Sequence, residues 1–134
     1  MNSNSLILEA KKAMEKAYAP YSKFKVGAAV LLEDGTIIHG ANIENSSYGL
    51  SNCAERSALF STISQGFDTK KIKGIAIIGD TKDAISPCGA CRQVIRELVP
   101  KNAVIYLCNL DGKVIETNID ELLPFSFDLF EDSK

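Results

Sequence analysis

The chain has 134 residues, of which 46% are hydrophobic and 24% charged, with a net charge of −2. That length is read as one domain over residues 1–134 with a single core. Lys and Arg are scattered, which excludes the basic patch of a nucleic-acid-binding surface, and no apolar run approaches the ~20 residues that cross a bilayer. The opening Met1-Asn2-Ser3-Asn4-Ser5 lacks a basic stretch leading into an apolar core, so no signal peptide is expected. Without secretion, Cys88-x-x-Cys91 points to metal or redox chemistry rather than disulfides, and Asn45-Ser46-Ser47 is a silent glycosylation pattern.

Residues 5–18 carry Leu6, Ile7, Ala10, Ala13, Met14 and Ala17 at helical spacing, and Ala19-Pro20 ends that helix. The apolar run 25–32 suits a strand buried on both faces. Asp34-Gly35 predicts a hairpin turn, with Thr36 to Ile43 as the returning strand. Cys53 to Ser64 predicts a helix that buries Ala54, Ala58, Leu59 and Ile63 and stops before Gly66. A strand over 74–79 follows. Pro87 then opens a second helix, with Ala90, Val94, Ile95 and Leu98 on one side and Pro100 as its stop. Strands over 103–108 and 114–117 flank an Asp111-Gly112 turn, and 119–123 reads as a last helical turn. The expected fold class is α/β, a three-layer α/β/α arrangement of a five-stranded mixed sheet with helices on both faces. Residues 131–134 are polar and expected to fray.

The chemistry concentrates in Cys53-Ala54-Glu55-Arg56 and Pro87-Cys88-Gly89-Ala90-Cys91. Thiolates suit zinc, and three of them leave one tetrahedral position for water, the catalytic arrangement. Both stretches fall where a helix begins, and helix N-termini favour thiolate over thiol. Arg56 lies three residues after Cys53 on the same helical face. Its guanidinium, helped by Arg92, is expected to draw charge from sulfur and restore Lewis acidity. Glu55 is the proton carrier beside the water. Cys108 reads as a small buried hydrophobe and His39 as a structural or exposed residue, not a ligand. A four-ligand zinc staple and a Cys88/Cys91 redox pair are the bland alternatives.

Cys-Ala-Glu-Arg followed by Pro87-Cys88-Gly89-Ala90-Cys91-Arg92-Gln93-Val94 resembles the cytidine deaminases of the small homotetrameric class. The resemblance runs from Tyr18-Ala19-Pro20-Tyr21-Ser22 to the Leu122-Leu123-Pro124 segment. Departures are Ser57 in place of Thr, Ala41 in place of a frequent Cys, and a short tail. It implies one zinc per subunit on Cys53, Cys88 and Cys91, with Glu55 catalytic. The substrate is then cytidine or deoxycytidine, consumed in pyrimidine salvage in the cytoplasm. Asn42 and Glu44 would hold the ribose hydroxyls, with Phe24, Tyr48 and Ala54 as further substrate contacts. Phe127 would cover the base in a neighbouring subunit's site, so sites are shared within a homotetramer. Phe125 and Phe130 read instead as C-terminal hydrophobic anchors. A carboxylate at Glu44 repels phosphate and favours a nucleoside over a nucleotide. The rival readings are a blasticidin-type deaminase, a nucleic-acid-editing deaminase, and a zinc-stabilised scaffold without activity.

Overall fold

Asn2 starts the first helix: its side-chain oxygen accepts from the Ser5 N–H at 2.9 Å, satisfying an otherwise unpaired first-turn donor. This is the beginning of what a computed structural model describes, residues 2–127. Phe130 and residues 131–134 lie outside the described residues. Helix α1 spans Ser3–Met14. It ends earlier than its apolar spacing suggests because 15–17 tighten into a turn, with Lys16 N–H on Ala13 O and Ala17 N–H on Met14 O. That turn delivers Tyr18, whose N–H bonds Asn42 O at 2.9 Å.

Strands β1 (Val26–Leu32), β2 (Ile37–Ala41) and β3 (Ile72–Gly79) surround helix α2 (Ala54–Ser64) in the chain order. Helix α3 (Gly89–Leu98), strands β4 (Val104–Asn109) and β5 (Val114–Thr117), and the short helix α4 (Ile119–Leu122) complete the described elements, with 3-10 turns at Tyr48–Leu50 and Thr69–Lys71. The strands form one sheet in the order β2-β1-β3-β4-β5. Only β3 and β4 pair in parallel, joined by a crossover through α3; the other neighbours are antiparallel. The five-stranded mixed sheet with helices on both faces is therefore as expected.

Alternation along the strands divides the core. Ala28, Val30, Ile75, Ile77, Ile105 and Leu107 face α2 and α3, together with Leu59, Ile95, Ile119 and Leu122. Ala29, Ala76, Ile78 and Cys108 face α1 through Leu6 and Ala10. Each fully buried isoleucine contributes about 1.5–3 kcal/mol relative to exposure. The α1 face is built from small residues, so helix and sheet approach closely; a Cβ on Gly27 would lie 2.1 Å from Ala10 O. His39 emerges on this face and bonds Glu9 of α1 at 2.8 Å. Histidine and Cys108 are thus on the opposite side of the sheet from α2 and α3.

The pairing register brings one edge of the sheet together. Val26 pairs with Gly79, Gly27 with Ala41, and Gly79 with Asn109. The start of β1 and the ends of β2, β3 and β4 therefore lie side by side. In open α/β sheets, ligand sites form outside the carboxyl ends of strands.

Candidate metal centre

Both cysteine stretches end at that edge, each at a helix start. Cys53 is the N-cap of α2 and Cys88 the N-cap of α3, with Cys91 in the first turn of α3. The approach of α2 depends on Gly40: a Cβ there would lie 2.3 Å from Ala58 N and 2.5 Å from Ala54 O. An isolated glycine inside a strand signals such a close approach, and this residue is the sequence clue to where α2 is seated that spacing arguments alone pass over.

The sulfurs of Cys53, Cys88 and Cys91 lie within 4.8 Å of one another. Cys53 and Cys88 are 3.8 Å apart, and Cys88 and Cys91 3.2 Å. Two thiolates sharing a tetrahedral zinc at a bond length of about 2.3 Å stand about 3.8 Å apart. The donor set fits zinc and the Cys53–Cys88 separation matches this spacing, while Cys88 and Cys91 stand closer and would move apart on a shared metal. No fourth cysteine, histidine or carboxylate joins the group among the described residues. A four-ligand staple therefore lacks its fourth ligand there.

Charge around the sulfurs is already arranged. The Cys53 thiol is held down to about 5, first by a hydrogen bond from Cys91 and then by Arg56. The same hydrogen bond, with burial, pushes Cys91 up. Arg56 Nη2 donates to Cys53 Sγ at 3.3 Å, and the guanidinium also reaches Cys91, which raises its own pKa through Cys53 first. Arg56 Nε is buried without a hydrogen-bond partner. Arg92 is a correction. Its Nε donates to Pro87 O at 2.9 Å, Nη1 to Leu122 O at 2.6 Å and Nη2 to Ser86 Oγ at 2.6 Å. Those carbonyl and hydroxyl acceptors draw it away from sulfur, so it braces the turn before Cys88 against α4.

Glu55 lies in the first turn of α2 and is 4% exposed. Burial pushes its carboxyl above the usual range, and the Cys53 charge adds to that. It lies in the same helical turn that Cys53 caps, and both Cys53 and Cys91 act on its charge, which puts the carboxyl beside the sulfur cluster. Ala54, between Cys53 and Glu55, is fully buried.

The remaining expected contacts fall into two groups. Asn42 and Glu44 continue β2 as an irregular ladder: Ile43 exchanges hydrogen bonds with Asn52, the residue before Cys53, and Glu44 N–H bonds Tyr18 O. Their side chains turn to the 21–26 loop. Asn42 accepts from Val26 N–H and donates to Phe24 O, both at 2.8 Å. Glu44 accepts from the backbone of Tyr21 and Ser22 and from the Ser22 hydroxyl. Phe24 lies over Gly79, where a Cβ would come within 3.3 Å of its ring. Tyr48 is 78% exposed, and Phe127 projects with its carbonyl held by Gln93. Phe125 is fully exposed at a positive φ of 58°. It does not anchor the C-terminal segment to this chain, which corrects that expectation; Arg92, Gln93 and Arg96 bind the segment through polar contacts instead.

With this geometry in place, comparison with known proteins decides the family. Residues 1–107 match the cytidine and deoxycytidylate deaminase zinc-binding region. The chain belongs to that family. Cytidine deaminases of Sporosarcina psychrophila and Halalkalibacterium halodurans are each 54% identical over 127 residues, 95% of this chain and 92% and 95% of theirs. The crystal structure of cytidine deaminase from Burkholderia pseudomallei superposes with a TM-score of 0.92 at 51% identity, covering 95% of this chain and all of that one. A blasticidin-S deaminase of Bacillus cereus is more distant, at 34% identity over 79% of each chain. Within this zinc-binding deaminase family, the cysteine cluster is the group suited to the metal and the buried carboxyl beside it the group to explain.

Arg56→Ala removes the donor to Cys53 and leaves the ligands intact. The expected outcome is bound zinc near one per chain with turnover reduced about 10- to 100-fold, the scale of a lost outer-shell partner. Metal analysis alongside kcat checks it; full activity would show that Arg56 does not tune the thiolates.

Proposed function

We propose that the protein is a zinc-dependent cytidine deaminase, converting cytidine and deoxycytidine to uridine and deoxyuridine with release of ammonia. One observation carries the reading: a buried carboxyl, Glu55, faces a cluster of three cysteine sulfurs. In this reading residues 1–134 act as one catalytic domain.

Cys53, Cys88 and Cys91 would hold one zinc per chain, which when bound supplies Lewis acidity to activate water as a nucleophile at neutral pH. Glu55 does the proton work. It takes a proton from the attacking water and delivers it to N3 of the pyrimidine, making C4 electrophilic. The same carboxyl then takes the proton of the hydroxyl newly bonded to C4 and passes it to the amino group, so that the C4–N bond breaks, ammonia leaves and a C4 carbonyl forms. Burial supports both roles, because it raises the carboxyl's affinity for a proton that the group must take up before passing it on. Arg56 draws negative charge from the thiolates. Arg92, through Pro87 O and Ser86, keeps the Cys88 turn in place.

Asn42 and Glu44 would bind the sugar hydroxyls, with Phe24, Tyr48 and Ala54 lining the rest of the site. The two polar side chains are already oriented by the 21–26 loop and stand one ladder step from Cys53. Phe127 would stack on the base in a neighbouring chain's site, at about 1–3 kcal/mol per stacked ring. Ile63, expected to be buried by α2, is exposed instead, and Thr62 takes the inward position. The exposure of Phe60, Ile63, Tyr48, Leu50, Phe125 and Phe127 supports association into a homotetramer with shared sites. Salvage of pyrimidine nucleosides in the cytoplasm would be the setting; no helix among the described residues is long and apolar enough to cross a membrane.

Turnover of cytidine, deoxycytidine and blasticidin S by purified protein, followed as ammonia release, tests the reading. Both nucleosides should be consumed and the antibiotic left. Preferential consumption of the antibiotic would overturn it.

A further inference from the structure

The 21–26 loop holds a contact set that the reaction itself does not require. Glu44 Oε1 accepts two backbone N–H groups, from Tyr21 at 3.0 Å and Ser22 at 3.1 Å. Glu44 Oε2 accepts the Ser22 hydroxyl. A carboxylate has about four acceptor directions. Three are filled, and the one left is on Oε2, beside the serine. The same hydroxyl oxygen accepts the Phe24 N–H at 3.0 Å. Between the two, Lys23 has φ of 62°, a left-handed conformation that a lysine keeps only where its surroundings hold it. Asn42 completes the frame through Phe24 O and Val26 N–H.

We propose that Ser22 is a positioning residue whose hydroxyl aims the Glu44 carboxylate at a sugar hydroxyl. The proposal rests on the assignment of Glu44 to the sugar. Ser22 itself need not touch the nucleoside. Its hydroxyl decides which lone pair of Glu44 stays open, and so which way that carboxylate accepts. The hydrogen bonds also hold Glu44 ionised, the Ser22 side chain contributing most. A charged acceptor binds a hydroxyl donor and refuses a phosphate at the same position.

The test compares cytidine with 2′,3′-dideoxycytidine, which lacks the hydroxyls that Glu44 would bind. Steady-state kinetics are measured for the wild type, Ser22→Ala, Ser22→Thr and Glu44→Gln, with thermal melting of each. Ser22 is exposed, so the melting midpoint of Ser22→Ala should stay near the wild type. For Ser22→Ala, KM for cytidine should rise about tenfold, the worth of one hydrogen bond to a charged group, with kcat changed less than about twofold. Its kcat/KM for the dideoxynucleoside should match the wild type, and Ser22→Thr should restore KM for cytidine. An equal loss on both substrates, or no loss on either, overturns the positioning role. If Glu44→Gln discriminates between the substrates and Ser22→Ala does not, the serine proposal alone fails. If Glu44→Gln treats both alike, the sugar assignment fails and takes the proposal with it.

Discussion

Glu55→Gln should retain a full complement of zinc and lose about 10⁴-fold in kcat, the upper range for removing a general acid–base group. The substitution keeps side-chain shape, so α2 should still seat its first turn against β2 at Gly40. What disappears is the ability to take up and release a proton. An amide at position 55 still donates and accepts hydrogen bonds, but it cannot carry a proton from water to N3 or from the new C4 hydroxyl to the leaving amine. The original carboxyl is prepared for that exchange by its surroundings: it is almost wholly buried, and burial disfavours its charged form. Metal content and single-turnover kinetics on the same preparation check the prediction. A variant with near wild-type turnover would show that another group moves the protons.

Cys91→Ser should lose both metal and activity. Cys91 is fully buried in the first turn of α3 and lies within reach of both other sulfurs. A hydroxyl is a harder and more weakly acidic ligand than a thiol, so zinc occupancy should fall well below one per chain and deamination should drop below detection. The melting midpoint should fall as well, because α2 and α3 meet at this cluster and zinc bound to the folded form adds to its stability. Cys108 supplies the control. It is equally buried, but it faces α1 across the sheet, and burial pushes its thiol up to about 11. Cys108→Ala should keep zinc and turnover. Equal loss from both variants would mean that the cysteines act through packing rather than ligation.

Local signals in the sequence account for most of this site. Cys88 and Cys91 are close enough along the chain for their common target to be legible from spacing alone, and Pro87 marks the helix start beside them. Cys53 and Arg56 share a helical face, and the 3.3 Å contact between them follows from that periodicity. The run 25–32 is apolar at nearly every position because β1 is an interior strand, paired on both sides and covered by helices on both faces. The unreadable parts depend on pairings distant in sequence. Helix α1 stops at Met14 because Tyr18 must reach Asn42, a demand that its own apolar pattern does not carry. Arg92 follows Cys91 of the sulfur cluster directly, yet its donors go to Pro87, Ser86 and Leu122, the last of them thirty positions away. Asn42 and Glu44 are tied to the 21–26 loop, so the serine that links Glu44 to Phe24 is invisible to spacing. Phe125 departs from the expectation that an aromatic ring packs on its own core, because its chain leaves it in solvent.

The most direct measurement is a zinc titration of chelated protein, with bound metal and conversion of cytidine to uridine followed together. The account predicts no conversion without metal, then a rise in step with bound zinc that levels off at one per chain. Undiminished conversion by metal-free protein would contradict it, and so would a fully loaded protein that leaves cytidine unchanged.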